Sequence, residues 1–244
     1  MLYLLFDFWR TLVNPPDLEE YYRYRVANIL RVEGIRDPEL EERAFNFYRE
    51  LFNLFDARRR ATGLEIPAEL EVSAFLKFLG VDEVRDEHMR AYASPMMDLT
   101  SPVPGVGEVL GELSSEYGMG VVSNTPYHEM MVEKLRKEGL LRFFDVVISS
   151  HRVGVRKPRR AIFEAALESL GCRISDAIMI GDSPYEDVLG AKKVGIKAIW
   201  IHEGDAGLPR ADGIVKSLKE LPSILLSLIH ISEPTRPRLI SYAV

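Results

Sequence analysis

A single cysteine, Cys172, stands among the 244 residues, which excludes an intramolecular disulfide framework and any zinc site built from cysteines. Long apolar runs are missing too: none approaches the roughly 18–20 residues that a bilayer span requires. Positive charge is in deficit, with 31 Lys and Arg against 37 Asp and Glu and a formal charge of −6. Binding to a phosphate backbone needs clustered positive charge, so nucleic acid is set aside as the main partner. The N-terminal MLYLLFDFWR begins apolar but carries Asp7. It lacks a basic n-region and a small-residue cleavage site, which points away from a signal peptide and towards the cytoplasm. What is present, 47% hydrophobic and 28% charged residues, has the balance of a globular protein with one sizeable core and a smaller appendage.

Residues 226–244, LSLIHISEPTRPRLISYAV, break the character of the charged, helical body before them. The stretch from Leu226 to Arg236 resembles the in-frame translation of a transposase-type sequencing-library adapter, and the terminal ISYAV resembles the flow-cell end of the same adapter. The segment is expected to be non-native, with a native end near Leu225 and no function for His230, Glu233 or the two tail arginines.

The rest of the chain alternates between two periods. LYLLFD (2–7), MGVVS (119–123), DVVIS (145–149), AIMIGD (177–182) and KAIWI (197–201) are short apolar runs suited to buried strands. Between them lie segments of helical period, GVGEVLGELSSEY (105–117), YHEMMVEKLRKEG (127–139), PRRAIFEAALESLG (158–171) and PYEDVLGAKKVG (184–195). Strands separated by such helices predict an α/β fold, a doubly wound parallel sheet with helices on both faces. About a hundred residues, however, separate the first two strands. That insert, roughly 14–99, shows apolar residues three and four apart over 19–34, 38–63 and 67–80 and predicts an all-helical cap subdomain. The core would then be 1–13 with 100–225, and 98–104 would be the return hinge. Phe45, Phe47, Leu51 and Phe55 are expected as packing, and Arg58–Arg60 as a solvated helix end or a face for an anionic substrate.

In open parallel sheets, ligands bind beyond the carboxyl ends of the strands. Those ends present Asp7, Ser123-Asn124, Lys157 and Gly181-Asp182, with Asp187 five residues on. Here the chain resembles the haloacid dehalogenase (HAD) superfamily, whose members are mostly phosphatases. FDFWRTL matches the first motif at Asp7 and Thr11, VVSNT the second at Ser123, VRKP the third at Lys157, and IGDSPYEDVLGAKKVG the fourth at Asp182 and Asp187. The resemblance implies a Rossmann-like core that brings Asp7, Asp182 and Asp187 into one small volume. Three carboxylates that close repel unless a cation neutralises them, and an all-oxygen site suits Mg²⁺. By resemblance, Asp7 would be ligand and nucleophile and the Trp9 backbone carbonyl a further ligand. Thr11, Ser123, Asn124 and Lys157 would serve the phosphate, and a small phosphorylated or halogenated metabolite would be the substrate.

One position departs from the phosphatase pattern. Trp9 stands where family phosphatases carry an Asp as general acid and base, and an indole cannot do that work. Three alternatives stay open: a phosphatase with another proton donor or an easy leaving group; a dehalogenase using Asp7 on carbon; and a phosphate binder without turnover. Asp182 and Asp187 favour the first, since the dehalogenase branch works without a metal; Trp9 favours the second. A phospho-acceptor receiver domain shares strand-end acids and a Lys, but is about half this length and has no helical insert. His151, His202 and Cys172 are expected in structural or solvated roles.

Overall fold

The computed structural model describes residues 1–202, 204 and 211–232. Within them β1 (Tyr3–Phe6) leads to a short β2 (Val13–Asn14), and four helices follow: α1 (Leu18–Val32), α2 (Pro38–Thr62), α3 (Ala68–Phe78) and α4 (Asp86–Asp98). After β3 (Ser101–Pro102) the alternation begins with α5 (Val106–Leu113), β4 (Gly118–Ser123), α6 (His128–Lys137), β5 (Val146–Ser149), α7 (Ser150–Val153) and α8 (Arg160–Leu170). It continues with β6 (Ala177–Gly181), α9 (Gly190–Val194), β7 (Lys197–Ile201), β8 (Gly213–Val215) and α10 (Leu221–Ser232).

Six strands form one sheet in the order β5-β4-β1-β6-β7-β8, and every pairing in it is parallel. This is the expected doubly wound α/β fold. The chain runs from β1 to β4 and β5 on one side, then crosses to β6 on the other, so the strand order reverses between β1 and β6. Every residue of β4 and β6 is buried, as parallel strands covered on both faces require. Period two then sorts each strand. Leu4 and Phe6 join the larger core with Met119, Val121 and Ile178, while Leu5 joins Val122, Met179, Ile162 and Phe163 on the other face.

The four-helix insert leaves and re-enters through a two-stranded antiparallel ribbon, with Val13 opposite Pro102 and Asn14 opposite Ser101. Asn14, expected in the helical insert, therefore lies in a strand. Helix α4 was not among the expected elements, because Pro95 interrupts it. Proline leaves the carbonyl four residues back without its helical donor, and here the Ser94 hydroxyl donates to Ala91 O at 2.8 Å instead. Among Arg58–Arg60, Arg58 and Arg60 are exposed, but Arg59 corrects the expectation of a solvated run. It is 3% exposed, with Nε 2.9 Å from Glu65 Oε1 and Nη2 donating to Glu71 Oε2 at 3.1 Å. The aromatic positions of α2 pack as expected, Phe45 and Leu51 buried and Phe47 and Phe55 partly so.

Helix α10 crosses the Leu225–Leu226 boundary without a break. Leu225 is buried and Leu228 rests partly buried against the core, so the start of the segment expected to be foreign contributes packing. Residues 233–244, with Glu233 and the tail arginines, lie outside the described residues. No helix among the described residues is long and apolar enough to cross a membrane.

Candidate active site

Strand pairing itself positions Asp7. It follows β1 directly, and its N–H donates to Ile180 O of β6 at 2.9 Å. The chain then curls tightly: Leu12 and Val13 N–H both reach Phe8 O, at 2.8 and 3.2 Å, and Arg10 takes φ 63°. That left-handed conformation is uncommon for a residue with a Cβ, and it occurs here three residues after a strand-end carboxylate. Asp182 caps the end of β6, and its carbonyl accepts the Trp200 indole N–H at 2.9 Å.

Asp187 arrives by a route that periodicity could not foresee. The expected helix over 184–195 is divided: Pro184–Leu189 is a π-helical turn and only Gly190–Val194 is α-helical. Asp187 and Val188 N–H both point at Ser183 O, at 3.0 and 3.2 Å. The wide turn leaves Asp187 beneath the end of β6, where its Oδ2 accepts Ser183 N–H at 2.9 Å. Such turns occur often at functional sites. They need room, and Gly181 supplies it: a Cβ there would fall 2.2 Å from Asp187 Oδ2 and 2.8 Å from its Cβ. Gly181→Ala is therefore expected to cost about 1–3 kcal/mol, as overpacking does, and to displace Asp187. Denaturant melting of the variant beside wild type measures the cost.

Asp7, Asp182 and Asp187 each offer a carboxylate oxygen within 4.8 Å of the others. Lys157 lies behind them, 2% exposed. Its Nζ donates to Asp7 Oδ1 at 2.6 Å and Val122 O at 2.7 Å. It also stands 2.7 Å from Asp187 Oδ1, an ion-pair contact without hydrogen-bond direction at that oxygen. Burial pushes the Lys157 ammonium down, but Asp187 and Asp7 outweigh it, so the group is held above its ordinary range. Three carboxylates against one buried ammonium leave a formal excess of two negative charges, with Arg10 at the cleft wall the other cation that Asp182 feels. Burial, then the charge of Asp7, raises the Asp182 carboxyl to about 6, and burial raises Asp187 against the pull of Lys157. An all-oxygen donor set with two excess charges fits a divalent cation, Mg²⁺ foremost.

The expected phosphate-facing residues divide. Ser123, at the end of β4, and Asn124 line a cleft of about 610 Å³ together with Asp7, Trp9, Asp182 and Asp187. The Asn124 side chain, however, is taken up by the backbone of Lys157: Oδ1 accepts its N–H at 2.7 Å and Nδ2 donates to its carbonyl at 3.0 Å. Thr11 corrects the expectation of a substrate contact. It is 1% exposed, its Oγ1 has no hydrogen-bond partner, and it does not line the cleft. Lys157 is likewise absent from the lining, its Nζ being surrounded by three protein oxygens. Trp9 lines the cleft with its ring edge-on to Tyr21, centroids 5.7 Å apart. Ser183, whose N–H holds the Asp187 carboxylate, and Trp200, whose indole holds the Asp182 backbone carbonyl, were not anticipated. A Ser before a Pro at a helix start signals a cap, but nothing local ties Trp200 to Asp182. His151, His202 and Cys172 lie outside the cleft lining, His202 stacked on Trp200 at 4.2 Å.

This sheet, with carboxylates gathered at its reversal point under a helical insert, defines a class of hydrolase. The chain belongs to the haloacid dehalogenase-like hydrolase family, whose model matches residues 4–201. It is 30% identical over 202 residues to a glyceraldehyde 3-phosphate phosphatase of Methanothermobacter thermautotrophicus, spanning 82% of this chain and 84% of that one. Among solved structures it is similar to a HAD phosphatase from Thermococcus onnurineus, at 30% identity and TM-score 0.63 over 92% of this chain and 98% of the other. A 2-haloacid dehalogenase from Pseudomonas syringae pv. Tomato DC3000 shares the fold, with 20% identity and TM-score 0.72 over 93% and 99% of the two chains.

Proposed function

We propose that this hydrolase is a Mg²⁺-dependent phosphatase of small phosphate esters, with Asp7 as the nucleophile. The observation that carries the proposal is the trio Asp7, Asp182 and Asp187, whose carboxylates outnumber the one buried ammonium among them by two. A carbon-directed nucleophile has no use for two further carboxylates, which would only repel it. Asp7, Asp182, Asp187 and the Trp9 carbonyl would hold the ion, which when bound supplies the positive charge that lets a phosphate dianion approach a carboxylate.

The remaining steps belong to the chain. Lys157 fixes Asp7 through Oδ1 and leaves Oδ2 to attack. A bond forms from Oδ2 to phosphorus as the ester P–O bond breaks, and the leaving oxygen keeps the electron pair. Ser123, at the cleft wall, donates to a phosphoryl oxygen as charge develops there. Water then attacks phosphorus, the Asp7–phosphorus link breaks, and inorganic phosphate departs with the carboxylate restored. Lys157 acts as a positioning cation behind the nucleophile. Trp9 leaves the departing oxygen without the usual proton donor. Besides the trio, the carboxyls in the cleft wall are Asp56, paired with Arg60 at 2.7 Å, and Glu186.

A screen of acyl, aryl and alkyl phosphates beside 2-haloacids, with Mg²⁺ and after chelation, tests the proposal. Phosphate release that needs Mg²⁺ supports it; halide release without metal overturns it in favour of the dehalogenase reading, to which Trp9 is the pointer. Asp182→Ala is expected to raise the Mg²⁺ concentration for half-maximal activity by about tenfold or more. In wild type the same midpoint should rise as pH falls through about 6, because protonation of Asp182 competes with the cation. Metal titrations at several pH values check both, and an unchanged midpoint in Asp182→Ala removes Asp182 from the ligand set.

A further inference from the structure

Five charged side chains form a connected line from the cleft wall through the cap and back to the core. Arg25 Nη1 donates to Tyr48 Oη at 2.7 Å, and that hydroxyl donates to Glu71 Oε1 at 2.5 Å. Glu71 Oε2 accepts from Arg59 at 3.1 Å, Arg59 Nε lies 2.9 Å from Glu65, and Glu65 Oε2 accepts from Arg156 of the core at 2.7 Å. Three guanidinium groups meet two carboxylates, so one positive charge is in excess.

That excess resides at Arg25. Arg59 and Arg156 each touch a carboxylate, whereas Arg25 has no carboxylate partner among the described residues. It is 3% exposed and lines the cleft. Its contacts are neutral: Tyr92 O at 2.8 Å, Tyr48 Oη at 2.7 Å, Tyr21 Oη at 3.1 Å, and the Tyr92 ring 3.7 Å from Cζ. Three of five guanidinium N–H groups are spent, and two remain. The Tyr21 hydroxyl accepts from Arg25, and its own proton has no acceptor among the described residues; Tyr21 lines the cleft as well. A desolvated cation held by neutral groups is costly unless an anion completes it. The rotamer is fixed on three sides, so the unused donors are oriented before any ligand arrives.

We infer that Arg25 and Tyr21 form a subsite for a second anionic group on the substrate, a carboxylate or a further phosphate remote from the phosphoryl that is transferred. This deepens the phosphatase proposal and rests on it: the preferred substrates are phosphate esters of acids or bisphosphates, not esters of neutral alcohols.

Calorimetric titration of the full chain with Mg²⁺ present tests the subsite without turnover. The probes are 3-phosphonopropionate for the carboxylate arm, propane-1,3-diyl bisphosphonate for the phosphate arm, and propylphosphonate as the reference with one anionic end. Wild type is expected to bind one of the two-ended probes about tenfold or more tighter than propylphosphonate, the strength of a charge-assisted pair. Arg25→Gln should reduce that preference to within about twofold, and Tyr21→Phe, which removes one oxygen, should reduce it about threefold. If Arg25→Gln does not fold, Tyr21→Phe carries the test. No preference in wild type, or one that survives both substitutions, overturns the subsite. In turnover, kcat/KM for 2-phosphoglycolate should exceed that for ethyl phosphate, and Arg25→Gln should collapse the ratio through KM. If no ester releases phosphate yet the two-ended preference holds and is lost with Arg25, the subsite stands and the phosphatase proposal falls.

Discussion

Asp7→Asn is expected to lower phosphate release by about 10⁴-fold or more while the protein stays folded. The amide is nearly isosteric with the carboxylate, so the parallel pairing that clamps residue 7 through Ile180 is kept. Its oxygen can still accept from Lys157, but its lone pairs are too weakly nucleophilic for phosphorus. A second result should accompany the loss. The charge of Asp7 is one of the causes that hold Asp182 at about 6, so in the metal-free variant Asp182 should titrate lower, towards an ordinary carboxylate. Carbon-13 NMR titration reads that shift, and turnover near wild type would mean that Asp7 is not the nucleophile. Solvent oxygen separates the two chemistries in a single turnover of wild type. Attack of labelled water on an aspartyl-phosphate at phosphorus puts the label in phosphate. Hydrolysis of an ester at the Asp7 carboxyl carbon, as a haloacid substrate would require, puts it in Asp7.

Trp9→Asp should change the rate in a way that depends on the leaving group. An alkyl alcohol departs as a high-energy alkoxide unless it is protonated, whereas an acyl or nitroaryl oxygen departs readily as an anion. Wild type is therefore expected to hydrolyse activated phosphates far better than sugar or glycerol phosphates. A carboxyl at position 9 should accelerate alkyl phosphates by up to about 10²-fold, the low end for general acid catalysis, and activated ones much less. The substitution also removes a half-buried ring that meets Tyr21 edge-on and packs against the core. A stability loss of about 1–3 kcal/mol is expected, to be measured by denaturant unfolding. Equal acceleration of both substrate classes, or none in a folded variant, would locate the proton donor elsewhere. Asp56 and Glu186 are then the carboxyls to substitute next.

Asp7, Ser123 and Asp182 were visible in the sequence because each ends an apolar run, and a parallel sheet presents such ends on one edge. Lys157 and Asp187 were visible as polar residues a few positions beyond strand ends, and the motifs of the family supplied their roles. Even then their surroundings were hidden. Lys157 was expected to face the phosphate and instead has Asp7, Asp187 and Val122 around its ammonium. Thr11 was expected at the substrate and is enclosed instead. Arg25 offered no signal at all, as a charged residue on an amphipathic helix is ordinarily solvated. Its burial depends on the Tyr92 carbonyl in another helix, 67 positions along the chain.

By itself, the sequence determined the alternation of strand and helix, the length and helical nature of the insert, and the chemistry available at the strand ends. Those properties are written in local periodicity and in side-chain type. Only the tertiary structure decided which charges share a volume. The reversal of strand order between β1 and β6, the π-helical turn before α9, and the room at Gly181 together bring three carboxylates within reach of one cation. The packing of α1 against α4 buried Arg25 beside the cleft. Periodicity states which face of an element is buried, but the energy of a buried charge depends on what stands opposite, and that partner comes from elsewhere in the chain.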